Sequence, residues 1–254
     1  VCSSDLGDLT DLVAAEALLG LWPVGDEATR AERNAFTGAE DLRLDGVTWR
    51  RGVNGRALDF DGTAAAWPED LELDLEDDDA TIAAWIQTTS DGTVFADARP
   101  DGEWVPDGIT LFLRGGQLTF DVGWVGAVDG GPRIDDGAWH HVAATWHAGD
   151  GEVRLFVDGV RVARGELPLE GESRRRFRPR FGWTNEDFPE TPRFSGYMDG
   201  LALIAEAVDD DRVADLAAAG AEPIVLGTVV SGAEGAVLRL DDEGRSCTLE
   251  AAGE

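Results

Sequence analysis

Two runs in the middle of the chain alternate with period two. In Trp139-His140-His141-Val142-Ala143-Ala144-Thr145-Trp146, one face carries Trp139, His141, Ala143 and Thr145, and in the second run one face carries Val153, Leu155 and Val157. That period predicts half-buried strands, and Ala148-Gly149-Asp150-Gly151 between them supplies the turn of a β-hairpin. Asp158-Gly159 predicts a second tight turn, of type I′, which demands positive φ. Upstream, Leu9, Leu12, Val13, Ala17 and Leu19 fall at helix-like spacing, and Leu21-Trp22-Pro23-Val24 reads as a first strand. The polar, acidic stretch 25–51 reads as a surface excursion with one short strand at Gly46-Val47-Thr48-Trp49. From Val53 onward, strands arrive at the short intervals of an all-β fold. Beyond Gly220 come three β-prone runs, 224–230, 236–240 and 246–249, too short in total for a core of their own. They are either extra strands on the main body or the start of a further module.

The hairpin motif Gly137-Ala138-Trp139-His140-His141-Val142-Ala143, followed by Leu155-Phe156-Val157-Asp158-Gly159, resembles that of the laminin-G-like, concanavalin A-like jelly-roll domains of secreted bacterial proteins. Three further stretches fit in order: Gly55-Arg56-Ala57-Leu58-Asp59-Phe60-Asp61-Gly62, Ala80-Thr81-Ile82-Ala83-Ala84-Trp85-Ile86, and the closing Phe194-Ser195-Gly196-Tyr197-Met198-Asp199-Gly200-Leu201. The short helix that should follow is readable too: Asp209 to Asp211 can cap it, Val213, Leu216 and Ala217 form its stripe, and Gly220 can end it. Trp67 and Gly200 depart from the family pattern, which has a Tyr-Val pair and a Glu there. The resemblance covers residues 18–220 and implies an all-β, two-sheet antiparallel β-sandwich with one short C-terminal helix. Residues 1–17 are then read as an adaptor-like artefact (Val1 to Leu6) and a linker, and 221–254 as a β-prone tail or truncated module.

Composition narrows the partners. The 254 residues carry a net charge of −30, and every basic residue is Arg. Such a surface repels nucleic acid and anionic lipid, and no run of 18 apolar residues offers a membrane span. The acidity has two readings, GC-rich coding and adaptation to salt. Under the second, the melting temperature is expected to climb between roughly 0.1 and 2 M salt as screening shortens; a flat curve leaves coding bias as the sufficient cause. Cys2 and Cys247, near opposite ends, suggest neither metal ligands nor a disulfide.

Candidate chemistry falls in four places. Glu72-Leu73-Asp74-Leu75-Glu76 matches the Glu-x-Asp-x-Glu catalytic pattern of laminarinase-type glycoside hydrolases, where two carboxylates act as nucleophile and acid/base. The same run is also a plain structural alternation, with Leu71, Leu73 and Leu75 inward and the acids solvated. His141 reads as a hydrogen-bonded core histidine, and one hairpin cannot build a three-His metal site. The family resemblance implies a structural calcium where the Asp-Gly end of an early strand meets the closing strand, with Asp61 and Asp199 as ligands and Asp26 as a weaker third; each Asp can instead merely open a turn. Arg174, Arg175, Arg176, Arg178 and Arg180 are the basic cluster, alternating from Arg176 with Phe177, Pro179 and Phe181. Outward guanidinium groups at 176, 178 and 180 suit an acidic polysaccharide, with Trp183 stacking beside them, and Trp104 and Trp124 also lie in or near loops. Such a row can equally neutralise neighbouring acids.

The reading is a non-catalytic binding module of a larger secreted or surface protein, extracellular or periplasmic, for a glycan or cell-surface polysaccharide. A protein-interaction or structural spacer domain and a laminarinase-type hydrolase using Glu72, Asp74 and Glu76 are the alternatives.

Overall fold

The computed structural model describes residues 18–22, 31–32, 42–53, 55–171, 176–221, 229–232, 235–239 and 246–249. Strands are numbered β1 to β19 in chain order. One antiparallel sheet runs β14 (Val160–Glu166), β13 (Glu152–Val157), β12 (Trp139–His147), β7 (Ala80–Gln87), β16 (Ser195–Ile204), β5 (Arg56–Asp61), β4 (Thr48–Arg51), with β1 (Leu18–Trp22) also pairing β16. The second runs β11 (Gly126–Gly130), β10 (Gln117–Val122), β9 (Ile109–Arg114), β8 (Gly92–Ala98), β15 (Arg178–Phe181), β6 (Ala65–Pro68), β3 (Leu42–Asp45), β2 (Ala31–Glu32). The chain is thus the expected two-sheet sandwich.

Alternation builds the core. Ile82, Ala84 and Ile86 of β7, Val142, Ala144 and Trp146 of β12, and Val153, Leu155 and Val157 of β13 meet Phe95, Leu111, Leu118, Phe120 and Phe181 of the second sheet in one buried cluster. Each Ile, Val, Leu and Phe among them contributes about 1.5–3 kcal/mol by leaving water. The hairpin turn is as its sequence demands, with φ of 50° at Asp158 and 75° at Gly159. Helix α1 (Asp210–Ala221) covers part of the outer face of the first sheet. Ala83 pairs with Ala143 on one side and Ala202 on the other. These three small residues let Val213 and Leu216 of the helix come down onto them and Phe156. Asp209 caps the helix, accepting from the Arg212 amide at 2.9 Å, and the acidic first turn suits the dipole.

Two stretches differ from the sequence reading. The excursion 25–51 holds β2, β3 and β4, and at Gly46-Val47 the chain leaves the second sheet for the first, because β3 pairs β6 whereas β4 pairs β5. Strand β1 begins at Leu18, ahead of the expected Leu21. Among the described residues, β17 (Val229–Gly232), β18 (Gly235–Arg239) and β19 (Ser246–Leu249) pair only with one another. On one flank the sandwich is nearly closed: β11 and β14 lie so close that a Cβ on Gly130 would stand 3.0 Å from the Val162 carbonyl oxygen. No described helix is long and apolar enough to cross a membrane.

Candidate functional site

The outer face of the second sheet carries the candidate arginines Arg178 and Arg180 on β15. Around β15 the chain alternates as its pattern requires: Phe177 and Phe181 are buried, Arg176 is exposed, and Arg178 and Arg180 are partly exposed on the opposite face. Arg178 and Arg180, two residues apart on a strand, are spaced about 6.5–7 Å. Arg174 and Arg175 lie outside the described residues.

The three arginines have different surroundings. Arg176 pairs with Asp101 at 2.9 Å, and Arg178 reaches Glu72 at 3.3 Å, all four side chains being at least one-third exposed. Arg180 instead joins an aromatic stack, with its guanidinium carbon 4.2 Å from the Trp183 ring centroid and 5.7 Å from that of Trp67. Burial pushes the Arg180 guanidinium down to about 10. Arg193 approaches the Trp183 ring from 4.7 Å, and Glu186 accepts from both the Trp183 indole and the Arg193 Nε at 2.8 Å. Trp183 and Arg180 are therefore brought together, but with each other. The indole expected to stack on a sugar is half-buried and engaged by guanidinium groups.

Beside Arg176 lies an open depression of about 310 Å³, lined by Arg99, Asp101, Gly102, Glu103, Val105 and Arg176. Its wall is the β8–β9 connection, which is pinned down. Buried Asn185 donates to the carbonyls of Arg99 and Gly102 at 2.9 and 3.0 Å, and Trp104 packs edge-on against Phe188 at 4.8 Å. Trp124, in the β10–β11 turn next to this connection, is 75% exposed. Sequence reasoning missed Trp67, Arg99, Asn185 and Arg193. No local pattern marks them, since they meet only through the strand order β8-β15-β6.

The acidic triplet lies elsewhere in character. Residues 71–74 form an extended connection outside any strand and lead into a turn; Leu75 is buried while Glu72, Asp74 and Glu76 point to solvent. The Trp146 indole donates to the Leu75 carbonyl at 2.9 Å, which anchors the segment by its apolar side.

The two calcium candidates are not brought together. In the β5–β16 register Asp61 stands opposite Ser195, so Asp199 lies four positions along, about 13 Å away at strand rise. Asp61 accepts from the amide and hydroxyl of Thr63 at 2.9 and 2.7 Å, as a turn-opening Asp does, and Asp199 accepts from the Val53 amide at 2.9 Å. These residues do not fit one shared ion, and among the described residues no group of three or more His, Cys, Asp or Glu is placed to hold a metal. Asp26 lies outside the described residues.

His141 also departs from expectation. It is buried, at 3% exposure, but on the outer side of the first sheet against Trp85, with ring centroids 5.5 Å apart, and its Nδ1 finds no hydrogen-bond partner among the described residues. Burial pushes the imidazole from 6.5 down to about 4, with the Asp158 carboxylate opposing. Because the unfolded ring binds its proton first, the neutral ring's contribution is complete above pH 6.5 and is lost as pH falls toward 4, a loss of order 3 kcal/mol. Asp121, pushed up to about 6 by burial, works in the opposite sense within that window. The expected result is that His141→Phe flattens the acid limb relative to the native chain in urea melts at pH 4 to 7; parallel curves would show that His141 protonates without cost.

A sequence profile of the concanavalin A-like lectin/glucanases superfamily matches residues 60–214. Among solved structures, domain 4 of AbnA, a GH43 extracellular arabinanase from Geobacillus stearothermophilus in complex with arabinotriose, superposes with a TM-score of 0.62 at 18% identity, over 79% of this chain and 98% of that one. The binding domain of Paraclostridial Mosquitocidal Protein 1 gives 0.56 at 12% identity, over 80% of this chain and 52% of that one. The binding domain of Botulinum Neurotoxin DC in complex with SialylT gives 0.59 at 9% identity, over 84% and 54%. This chain thus spans about half of each toxin domain, and identities this low speak for the fold alone. With the profile covering more than half of its residues, the chain belongs to the concanavalin A-like lectin/glucanases superfamily.

Proposed function

We propose that the chain is a non-catalytic carbohydrate-binding module of a larger secreted or surface protein, and that its ligand is an acidic glycan held on the outer face of the second sheet. The observation that carries this reading is exposed Arg176, with half-buried Arg178 two residues on, beside a depression whose wall is pinned by Asn185 and Trp104. The pairs Arg176–Asp101 and Arg178–Glu72 are surface ion pairs worth about 0–1 kcal/mol each, so a ligand carboxylate or sulfate can replace either carboxylate at small cost, while the Arg178 bond to the Phe177 carbonyl at 2.6 Å holds that guanidinium in place. A guanidinium fork suits either group. Arg180, with Trp67 and Trp183 around it, supports the row from within rather than meeting ligand. A pinned wall also lowers the ordering cost of binding. The arabinotriose bound to the arabinanase domain is in keeping with a sugar-binding role.

The net charge of −30 slows a polyanion's approach, so the test belongs in moderate to molar salt, where screening falls to about 3 Å at 1 M. A glycan array followed by calorimetry is expected to select uronate or sulfated polymers, and the Arg176→Ala/Arg178→Ala double variant to lose at least about tenfold in affinity, some 1.4 kcal/mol. Equal binding by both proteins would mean that the arginines only balance Asp101 and Glu72, and would favour a spacer domain. Release of reducing sugar from β-glucan, lost in Glu72→Gln/Glu76→Gln, would establish the hydrolase instead.

A further inference from the structure

We infer that Trp124 is the stacking platform of this glycan site, taking the face of a pyranose ring next to the charge held at Arg176. This rests on the reading of that face as an acidic-glycan site, and it moves the aromatic contact from Trp183 to a residue at the other side of the depression.

The turn Val122-Gly123-Trp124-Val125 is closed by the Val125 amide donating to the Val122 carbonyl at 3.0 Å. Trp124 has φ of 66° while Gly123 is not in the left-handed region, the signs of a type II turn with Trp at the third position. That position favours glycine, and a bulky residue there is an outlier. The order is the reverse of the usual one, and packing explains half of it. A Cβ on Gly123 would stand 2.6 Å from the Val105 carbonyl oxygen and 3.1 Å from the Trp104 indole nitrogen, so Gly123 must stay small for the β8–β9 connection to lie against the turn. Nothing in the packing explains the other half: Trp124 is 75% exposed and buries little for the strain it imposes. Strained, solvent-facing residues of this kind concentrate where ligands bind.

Its position suits the role. Val105, whose carbonyl touches the turn, also lines the depression that Arg176 closes on the other side. In the strand order, the β10–β11 turn, the β8–β9 connection and the start of β15 all fall at one end of the second sheet. An extended chain of sugar rings crossing the depression therefore meets an open indole and then the guanidinium groups of Arg176 and Arg178. Trp183, by contrast, is already stacked with two arginines.

The test compares the native chain with Trp124→Gly and Trp124→Asn, residues that accept the left-handed turn position. Melting temperature is expected to stay level or rise, while affinity for oligogalacturonate falls about tenfold in both variants. A structural role would show the opposite, a lower melting temperature with unchanged affinity, and would overturn the inference. If the native chain binds oligogalacturonate and both Trp124 variants bind it equally well, the platform is rejected while the arginine site stands. If it binds a neutral gluco-oligosaccharide instead, and only through Trp124, the platform stands and the acidic-glycan reading falls. Binding of neither probe by the native chain overturns both.

Discussion

Replacing Trp146 by alanine is expected to destabilise the fold by about 3–5 kcal/mol, the range for deleting a large buried ring. The side chain is 1% exposed and lies stacked near Phe120, centroids 6.0 Å apart, so it bridges the two sheets. Its indole also satisfies the Leu75 carbonyl, which the truncation leaves buried and unpaired. Trp146→Phe separates the two effects: it keeps most of the ring and loses the bond, and is expected to cost about 1–3 kcal/mol. Urea denaturation of the three proteins measures both. Loss below about 1.5 kcal/mol for the alanine variant would mean that the core collapses around the gap and that Trp146 does not bridge the sheets.

The second large effect is expected at Gly182. It has φ of 79°, and an added Cβ would stand 2.3 Å from a ring carbon of Phe60, itself buried and edge-on to Phe194. The glycine itself cannot withdraw, because its amide donates to the Val94 carbonyl at 3.0 Å and its carbonyl accepts from the Phe194 amide at 2.9 Å. Gly182→Ala therefore combines left-handed strain of about 1–2 kcal/mol with overpacking of about 1–3. Gly102 supplies the control, since its φ is 78° but nothing lies within 4 Å of its added Cβ. Gly102→Ala is expected to show the strain alone. Thermal melts that place the two variants together would show that Phe60 moves aside at no cost, and the packing account of this corner would be wrong.

The fold was legible where a period repeats over enough residues. The hairpin of β12 and β13, the Asp158-Gly159 turn that leads from β13 into β14 and the capped helix each follow from local pattern, because side-chain direction on a strand or helix depends only on spacing. The switch of sheets at Gly46-Val47 was not legible, since a short polar strand such as β3 differs from a loop only by the partner it finds, here β6. The site divides in the same way. The outward direction of Arg178 and Arg180 could be read from Pro179 and Phe181, whereas the capture of Arg180 by Trp67 and Trp183 depends on strands distant in sequence. Asp61 and Asp199 were joined by family analogy, and the register of β5 on β16 separates them. The family motif implied a core place for His141; alternation turns it outward with Ala143, and Trp85 buries it there.

The close approach of β11 to β14 bears on how this chain coexists with copies of itself. An unpaired strand edge is a template for another chain, and a protein with this many strands offers several chances to polymerise. Here the Gly130 contact with Val162 seats one sheet's terminal strand against the other's, leaving no gap for an incoming strand on that flank. At the opposite margin of the first sheet, β4 shows Arg50 and Arg51 to solvent; Asp59 holds Arg50 at 2.8 Å, so a second copy of β4 would have to break that pair or bring Arg51 charges together. The first sheet thus meets an incoming copy with one margin shut by packing and the other lined by arginine, so lateral strand addition to that sheet is opposed at both ends.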